Sequence, residues 1–431
     1  MGYWGLLGRD LAVDLGTANT LVYVRRKGIV LNEPSVVAIN RHSDRLVAVG
    51  KQAKRMMGRT PSHIEVVRPL KDGVIADIDV AERMLRKFLQ MAHPSRFLAK
   101  PRVVVAVPSG TTGVEQRAVR EAAYEAGARH VHIIEEPMAA AIGAGLKVNG
   151  PVGNMIVDIG GGTTDVAIIA MGGVVVSQSI RVGGDEIDQA IIAYAKKEHG
   201  LLLGERTAEH LKISMGSVAA DVDGQRPPED DLDGEASAVS RQVARPPEAE
   251  FGRADGGEWG YGERGSAARV FGPLYGPAFG DGESQELASR APVRRDRPID
   301  RLMNARARFA AGGAPITIRG RDLVTGLPKT AVISPGEVEK AIDDQVQTIV
   351  DAVQTTLDQC PAELAGDLLD NGIVLTGGGA MLKGMLERVA ATTGMQVRRV
   401  EKPLHSVALG AGRCVDRFSA YQDVFLPDRR R

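Results

Sequence analysis

Apolar positions follow two rhythms along this chain. Short runs dense in β-branched residues have the composition of strands: "LAVDLG" (11–16), "LVYVRRKGIVL" (21–31), "RVVVAVP" (102–108) and "VHIIEEP" (131–137). Between the last two, "TGVEQRAVREAAYEAGA" sets Val114, Ala118, Ala122 and Ala126 on one stripe of a helix that stops near Gly127. Strand, helix, strand in that order predicts a βαβ unit packed on a mixed or parallel sheet. The theme then returns in "NMIVDIGG" (154–161), "VAIIAMGGVVVSQSI" (166–180), the helix "DEIDQAIIAYAKKEHG" (185–200) and "GIVLTGGG" (372–379). The pattern predicts an α/β chain built as two halves of like design.

Two turns in this pattern carry the same device. "AVDLGTANTLVYV" (12–24) and "MIVDIGGGTTDVAII" (155–169) each run from an apolar strand through Asp, an apolar residue and Gly into small or hydroxylated residues, then into a second strand. Each predicts a hairpin with a glycine-rich tip. Glycine lets backbone N–H groups approach a phosphate closely, and Thr17, Asn19, Thr163 and Thr164 can add donors. Asp14 and Asp158 would repel phosphate unless a cation lay between them. A hydrated Mg²⁺ suits that position, because it keeps several waters and is held by one or two carboxylates plus phosphate oxygens. Either turn alone is equally well read as a tight hairpin whose Gly and Asp merely satisfy positive φ; their repetition on matched halves favours a phosphate site. A third cluster, "LTGGGAMLKGM" (375–385), leaves a strand for a helix and can bring backbone beside a ribose, a base or phosphates. Neither the Walker pattern nor the dinucleotide fingerprint occurs in these turns, which argues against a P-loop or Rossmann site.

Composition narrows the class. At 431 residues, 43% hydrophobic and 25% charged, the chain can bury a sizeable core in two domains or more. Lys plus Arg and Asp plus Glu are equal at 54 each, so no overall field recruits nucleic acid. Cys360 and Cys414 lie far apart and offer neither a metal-ligand spacing nor a disulfide framework, which suits a reducing cytoplasm. No apolar run reaches the ~18 residues a membrane span needs. The start, "MGYWGLLGRDLAVDLG", lacks the regions of a signal peptide, so a cytoplasmic protein is expected. Residues 219–313 hold no sustained period. They are rich in Gly, Pro and Arg, contain no Lys, and pass from the acidic "PPEDDLDGE" to the basic "RAPVRRDRPIDRLMNARAR", the pattern of a largely disordered insertion.

The set "VDLGTANT", "IEEPMAAAIGAG", "VDIGGGTTDV", "GERTAEHLKI" and "IVLTGGGAMLKGM" followed by "PLHSVALGAG" resembles the ATPase superfamily of actin, heat-shock chaperones and sugar kinases. Within it, "GIVLNEPSVVAI", "GRTP", "RPLKDGVIAD" and "RGRDLVTGLPKT" are similar to the MreB family of bacterial actins, so the likeness spans residues 10–218 and 314 to about 417. The resemblance implies an actin-like ATPase fold: two similar halves, each a mixed sheet flanked by helices, with the nucleotide in the central cleft. One half would comprise 1–149, with a small subdomain at about 33–69 and the C-terminal return at about 400–431. The other would comprise 150–400, with a small subdomain at about 187–331 that contains the insertion.

The cofactors implied are ATP and Mg²⁺. Asp14 and Asp158 would orient the waters of the metal. The tips Gly16, Thr17, Ala18 and Asn19, and Gly160, Gly161, Gly162 and Thr163, would clamp the β- and γ-phosphates from opposite sides. Glu136, just before Pro137, matches the family's catalytic carboxylate in preference to Glu135; Thr163 would help it position the attacking water and Asp158 would complete the catalytic group. Glu209 and Lys212, at i and i+3 with His210 and Leu211 between, would bracket ribose and adenine together with Gly377, Gly378, Gly379 and Ala380. Outside this setting Glu209 and Lys212 read as an ordinary surface ion pair. His405 is given no role.

The implied function is a slow ATPase that forms filaments of itself and organises cell-wall synthesis and cell shape with cell-wall elongation proteins. The filaments would be cytoplasmic and peripheral at the inner membrane face. Tyr3, Trp4, Leu6 and Leu7 before the first strand, and Phe97 with Leu98 between Arg96 and Lys100, would suit the lipid interface; Phe97 and Leu98 also suit the end of a core helix. Trp4, Leu6, Phe97 and Leu98 are the expected contacts. The alternative class is a monomeric nucleotide switch on the same fold, such as a chaperone-like ATPase module or a non-polymerising relative.

Overall fold

The computed structural model describes residues 10–92, 101–218 and 314–427. Tyr3, Trp4, Leu6, Leu7, Phe97, Leu98 and the insertion 219–313 lie outside the described residues.

Two five-stranded sheets repeat one topology. The first is ordered His130–Glu135, Arg102–Val107, Leu11–Leu15, Asn19–Val24, Gly28–Pro34. Its last three strands form an antiparallel meander, and the other two add in parallel. The second is ordered Gly173–Ile180, Thr164–Ala170, Asn154–Ile159, Ile373–Thr376, Val397–Arg399, again an antiparallel meander of three followed by two parallel strands. In the second sheet every residue of Asn154–Ile159 and Thr164–Ala170 is buried, as expected of central strands covered on both faces.

Two of the apolar runs break where the sequence pattern ran on. Residues 21–31 are not one strand, because Arg25, Arg26 and Lys27 turn the chain, with Arg26 at φ 60°. Residues 166–180 break likewise at Met171 and Gly172, with φ 51° and 75°. β-branched residues on both flanks hid these two short turns from a composition-based reading. The run 131–137 also divides: the strand ends at Glu135 and a helix, Glu136–Ala144, begins at once. Pro137 in its first turn is at home there, where a missing N–H needs no partner.

The helix Gly113–Glu125 is fixed at its start by Thr112, whose hydroxyl accepts from the Glu115 N–H while the Glu115 carboxylate accepts from the Thr112 N–H. Ala118 and Ala122 of its stripe are buried, but Val114, in the first turn, is 77% exposed. The helix Gly184–His199 stops at Gly200, in the left-handed region at φ 58°.

Between the two sheets cross the helices Glu136–Ala144 and Ser406–Asp416. Ala12, Val104 and Ile134 from the first sheet and Ile156, Ala167 and Val374 from the second pack into one core with Met138 and Ala411 of these helices. The crossing is backbone on backbone. A Cβ on Gly143 would overlap the Ser406 carbonyl, and one on Gly410 would overlap the Ala139 carbonyl. Three smaller sheets accompany the two large ones among the described residues: Arg45–Val49, Val37–Asn40 and Ile64–Val67 in the first half, Leu201–Leu202, Ile316–Asp322 and Pro328–Ile333 in the second, and the two-stranded pair Leu70–Lys71 and Val74–Ile75. The helix Pro335–Asp358 buries Val338, Ile342, Val346, Ile349 and Val353 at helical spacing. Each such side chain contributes ~1.5–3 kcal/mol by leaving water. Among the described residues no helix is long and apolar enough to cross a membrane.

Candidate functional site

The repeated topology puts the two acidic hairpins in equivalent places. Asp14 pairs with Leu21 across its hairpin and with Ala106 on the parallel side; Asp158 pairs with Asp165 and with Thr376. Each Asp is therefore the second-last residue of its sheet's central strand, and each glycine-rich tip follows directly. The tips meet. A Cβ on Gly161 would lie 2.6 Å from the Ala18 Cβ, and one on Gly162 would lie 2.8 Å from Thr17 Oγ1. Thr17 Oγ1 also accepts the Gly73 N–H at 3.1 Å, which ties the turn between Leu70–Lys71 and Val74–Ile75 to the first tip. The second tip is closed by Gly184 N–H to Gly160 O at 3.0 Å and Asp185 N–H to Gly161 O at 2.7 Å.

Behind the tips, acids crowd together. Burial pushes Asp14 up to about 7. Asp158 is raised well above the carboxyl range by burial, then by the charges of Asp165 and Asp14. Glu136, the first residue of its helix, is raised well above that range by burial, then by Asp165, Asp14 and Asp158. Glu135 is raised by burial and Asp165, without the other two acids, which separates the neighbours: Glu136 belongs to the cluster and Glu135 sits at its edge. So many buried carboxyls in one place call for a positive charge. Among the described residues no three His, Cys, Asp or Glu side chains converge to ligate an ion directly. Asp14 and Asp158 are the carboxylates that a hydrated cation such as Mg²⁺ would need here.

The third cluster reaches this end of the cleft. Gly377, at φ +80°, runs so close to the hairpin that a Cβ would overlap the Ile159 carbonyl and Asp158 Oδ1. Gly378 is exposed, Gly379 and Ala380 are buried, and the chain continues until Lys383 O accepts the Val218 N–H at 2.8 Å. Residues 377–383 thus run from Asp158 to the end of the helix Glu205–Met215, which carries Glu209 and Lys212. Both of these line a cleft with Ala18, Lys54, Arg68 and Gly161. Lys54 Nζ reaches Glu209 Oε1 at 2.8 Å. Arg68 spans to Asp185 and Glu205, each at 3.1 Å. Lys212 Nζ donates to Gly184 O at 2.7 Å and pairs with Asp188 at 3.0 Å.

Not every expected residue faces this space. Leu211 is 1% exposed and belongs to the core of the second half, because its place on the helix points away from the cleft. His210 is half-buried on the same helix, between Glu209 and Leu211. Asn19, by contrast, is exposed at the first tip. The sequence reading missed Lys54, Arg68, Asp188 and Asp165. Arg68 stands in "RPLKDGVIAD", which points to a function only by resemblance, and Lys54 in none of the quoted motifs, whereas Asp165 was visible as the last acid of "VDIGGGTTDV".

Two like halves of mixed sheet and helix, with glycine-rich acidic hairpins facing each other across a cleft, define the actin-like class of α/β proteins. The chain belongs to the MreB/Mbl family, whose profile matches residues 8–236 and 304–423. It is 40% identical over 419 residues to the cell shape-determining protein MreB of Escherichia coli strain K12, covering 96% of this chain and 94% of that one. It is 38% identical over 411 residues to the cell shape-determining protein Mbl of Bacillus subtilis strain 168, covering 95% and 97%. The crystal structure of MreB5 of Spiroplasma citri bound to ADP superposes with a TM-score of 0.71 at 30% identity, over 97% of this chain and 98% of that one.

Proposed function

We propose that this chain binds ATP with Mg²⁺ in the cleft, hydrolyses it slowly, and assembles into filaments at the inner face of the cytoplasmic membrane that govern cell shape. The observation that carries the reading is the meeting of the two acidic hairpins, Asp14–Asn19 and Asp158–Thr163. The Spiroplasma citri relative was solved with ADP and with AMPPNP, and the Escherichia coli and Bacillus subtilis relatives are named for determining cell shape.

In this reading the backbone N–H groups of Gly16–Asn19 and Gly160–Thr163 hold the β- and γ-phosphates. Asp14 and Asp158 hold the waters of the metal, which when bound neutralises phosphate charge. Glu136 and Thr163 accept hydrogen bonds from the attacking water and aim it. Glu209, Lys212 and Gly377–Ala380 flank ribose and base. Leu211 supports that helix from the core, and His210 is carried on it next to Glu209. Membrane docking draws support from chain geometry: Leu11 pairs with both Val24 and Val103, and the Arg102 N–H reaches Asp10 Oδ1 at 3.3 Å. The segments bearing Trp4 and Leu6, and Phe97 and Leu98, therefore join the described fold at the same end of the first sheet.

The test is Mg²⁺-dependent ATP binding, followed by pelleting and negative-stain microscopy on anionic vesicles. Asp158→Ala should abolish the metal-dependent part of the affinity, and the parent chain should pellet as filaments with ATP. Equal affinity in both proteins would remove the metal assignment. A nucleotide-bound chain that stays monomeric would mark a non-polymerising relative.

A further inference from the structure

The ion pairs described across the cleft all run one way. Lys54 and Arg68 come from the first half; Asp185, Glu205 and Glu209 come from the second. Lys212 in the second half is already committed to Gly184 O and Asp188, which leaves the other three acids to the first half. Of the two bases, Arg68 makes the fuller contact. Its Nη1 lies 3.1 Å from both carboxylate oxygens of Asp185, and its Nη2 lies 3.1 Å from Glu205 Oε2. A guanidinium fork on two carboxylates is stronger and more directional than an ammonium on one. The side chains of Arg68 and Asp185 each keep 28% of their exposure and that of Glu205 keeps 48%, so salt screens the Asp185 arm less than the Glu205 arm.

The neighbours of this pair reach both phosphate tips. The Asp185 N–H donates to Gly161 O on the second tip at 2.7 Å. Arg68 follows the strand Ile64–Val67 and leads into the turn whose Gly73 N–H donates to Thr17 Oγ1 on the first tip at 3.1 Å. Contacts therefore close a circuit: Arg68 to Asp185, Asp185 to Gly161, the second tip to the first, Thr17 to Gly73, and the chain from Gly73 back to Arg68. Within that circuit, the link from Arg68 to Asp185 is the one formed by two partly exposed charged side chains.

We propose that Arg68 is a latch residue: paired with Asp185 and Glu205, it holds the cleft closed over bound nucleotide and sets how fast that nucleotide leaves, with Lys54 and Glu209 as a second tie. It acts through the opposite lip of the cleft and takes no part in hydrolysis. Ions in solution weaken such a pair, so nucleotide exchange by this chain quickens with ionic strength. This inference rests on the reading of the cleft as the ATP site.

The experiment uses the full chain, dilute enough to stay unassembled, loaded with N-methylanthraniloyl-ATP and Mg²⁺ and chased with excess ATP while fluorescence follows release. Release from the parent should quicken roughly 3- to 10-fold as KCl rises from about 0.1 M to about 1 M, over which the screening length falls from about 10 Å to about 3 Å. Arg68→Ala should release the analogue roughly 3- to 10-fold faster than the parent at the lower salt, the scale of a partly shielded charged pair, and should respond less to KCl. Asp185→Asn should behave alike, and the double variant should be no faster than either single one. Arg68→Lys, which keeps the charge and loses the fork, should fall between Arg68→Ala and the parent. Single-turnover hydrolysis of bound ATP should stay within about 2-fold of the parent in Arg68→Ala and Asp185→Asn, a readout that general loss of structure would move. Glu205→Gln, on the more exposed arm, carries the same test with a smaller rise should Arg68→Ala melt below the assay temperature. Salt-independent release from the parent, unchanged release from Arg68→Ala, or additive effects of Arg68→Ala and Asp185→Asn would each overturn the latch. A parent chain that does not bind the analogue with Mg²⁺ would overturn the cleft reading itself.

Discussion

Glu136 and Glu135 are adjacent in sequence and separate in consequence. The strand ends at Glu135 and the helix starts at Glu136, so only the second is drawn among Asp14, Asp158 and Asp165. Glu136→Ala should slow single-turnover hydrolysis by ~10²- to 10⁴-fold with ATP binding retained, as for other groups that act on the attacking water; an unchanged rate would move the role to Glu135. Asp188 gives a different signal. Burial outweighs the Lys212 ammonium and pushes its carboxyl up to about 6 from an ordinary 3.8. Between those values the native state holds a proton that the unfolded chain has released, so this residue makes stability fall as pH rises from about 4 to about 6. Replacing it with Asn should flatten that part of the curve by no more than about 3 kcal/mol, read from melts of both proteins across the window. A parallel pair of curves would contradict the shift. At this scale the acids of the hairpins were legible because the same succession of Asp, an apolar residue and Gly after an apolar strand occurs twice, on matched halves. Asp188 was not, because its importance comes from Lys212, 24 positions away on another helix.

At the scale of elements, the strands and the βαβ succession could be read from periodicity, whereas the crossing of Glu136–Ala144 with Ser406–Asp416 could not. Nothing in "PMAAAIGAG" or "SVALGAG" states that the two helices meet, although both are rich in the small residues that let backbones approach. The meeting depends on a contact between residues some 270 positions apart, as in the bond from the Arg413 guanidinium to the Ile142 carbonyl. Gly410→Ala forces a methyl group into the Ala139 carbonyl, and overpacking of this kind typically costs ~1–3 kcal/mol or more. The variant should melt lower than the parent by several degrees or fail to accumulate; Gly366→Ala, whose added Cβ meets nothing within 4 Å, is the matched control. Equal melting of the two variants would mean that the helices can part without loss.

The whole molecule raises the question of residues 219–313. The family profile stops at 236 and resumes at 304, so most of the insertion has no counterpart in it. On the near side, Val218 is anchored by its N–H to Lys383 O; on the far side, Ile316–Asp322 pairs with Pro328–Ile333 and Leu201–Leu202. Both flanks are therefore held by their own half. Loop closure grows only as ~(3/2)RT ln n, so a long insertion there costs little and its removal should gain little. A chain joining Val218 to Ala314 should fold, bind ATP and pellet at least as well as the full chain. A shortened chain that binds nucleotide but stays in the supernatant would make the insertion an element of assembly. The two-half plan was legible because the sequence writes it twice. The ion pairs that span the cleft were not, because Lys54–Glu209 and Arg68–Asp185 join residues more than 100 positions apart and leave no local periodicity.

The helix crossing also fixes what kind of machine the cleft can be. With bare backbone touching at Gly143 and Gly410 and one apolar core gripping both sheets, the base of the cleft has no cushion to compress and no gap to widen. A swing of one half against the other would have to turn about this contact, and its travel would grow with distance from it, so the Lys54–Glu209 pair across the cleft would part while the crossing stayed closed.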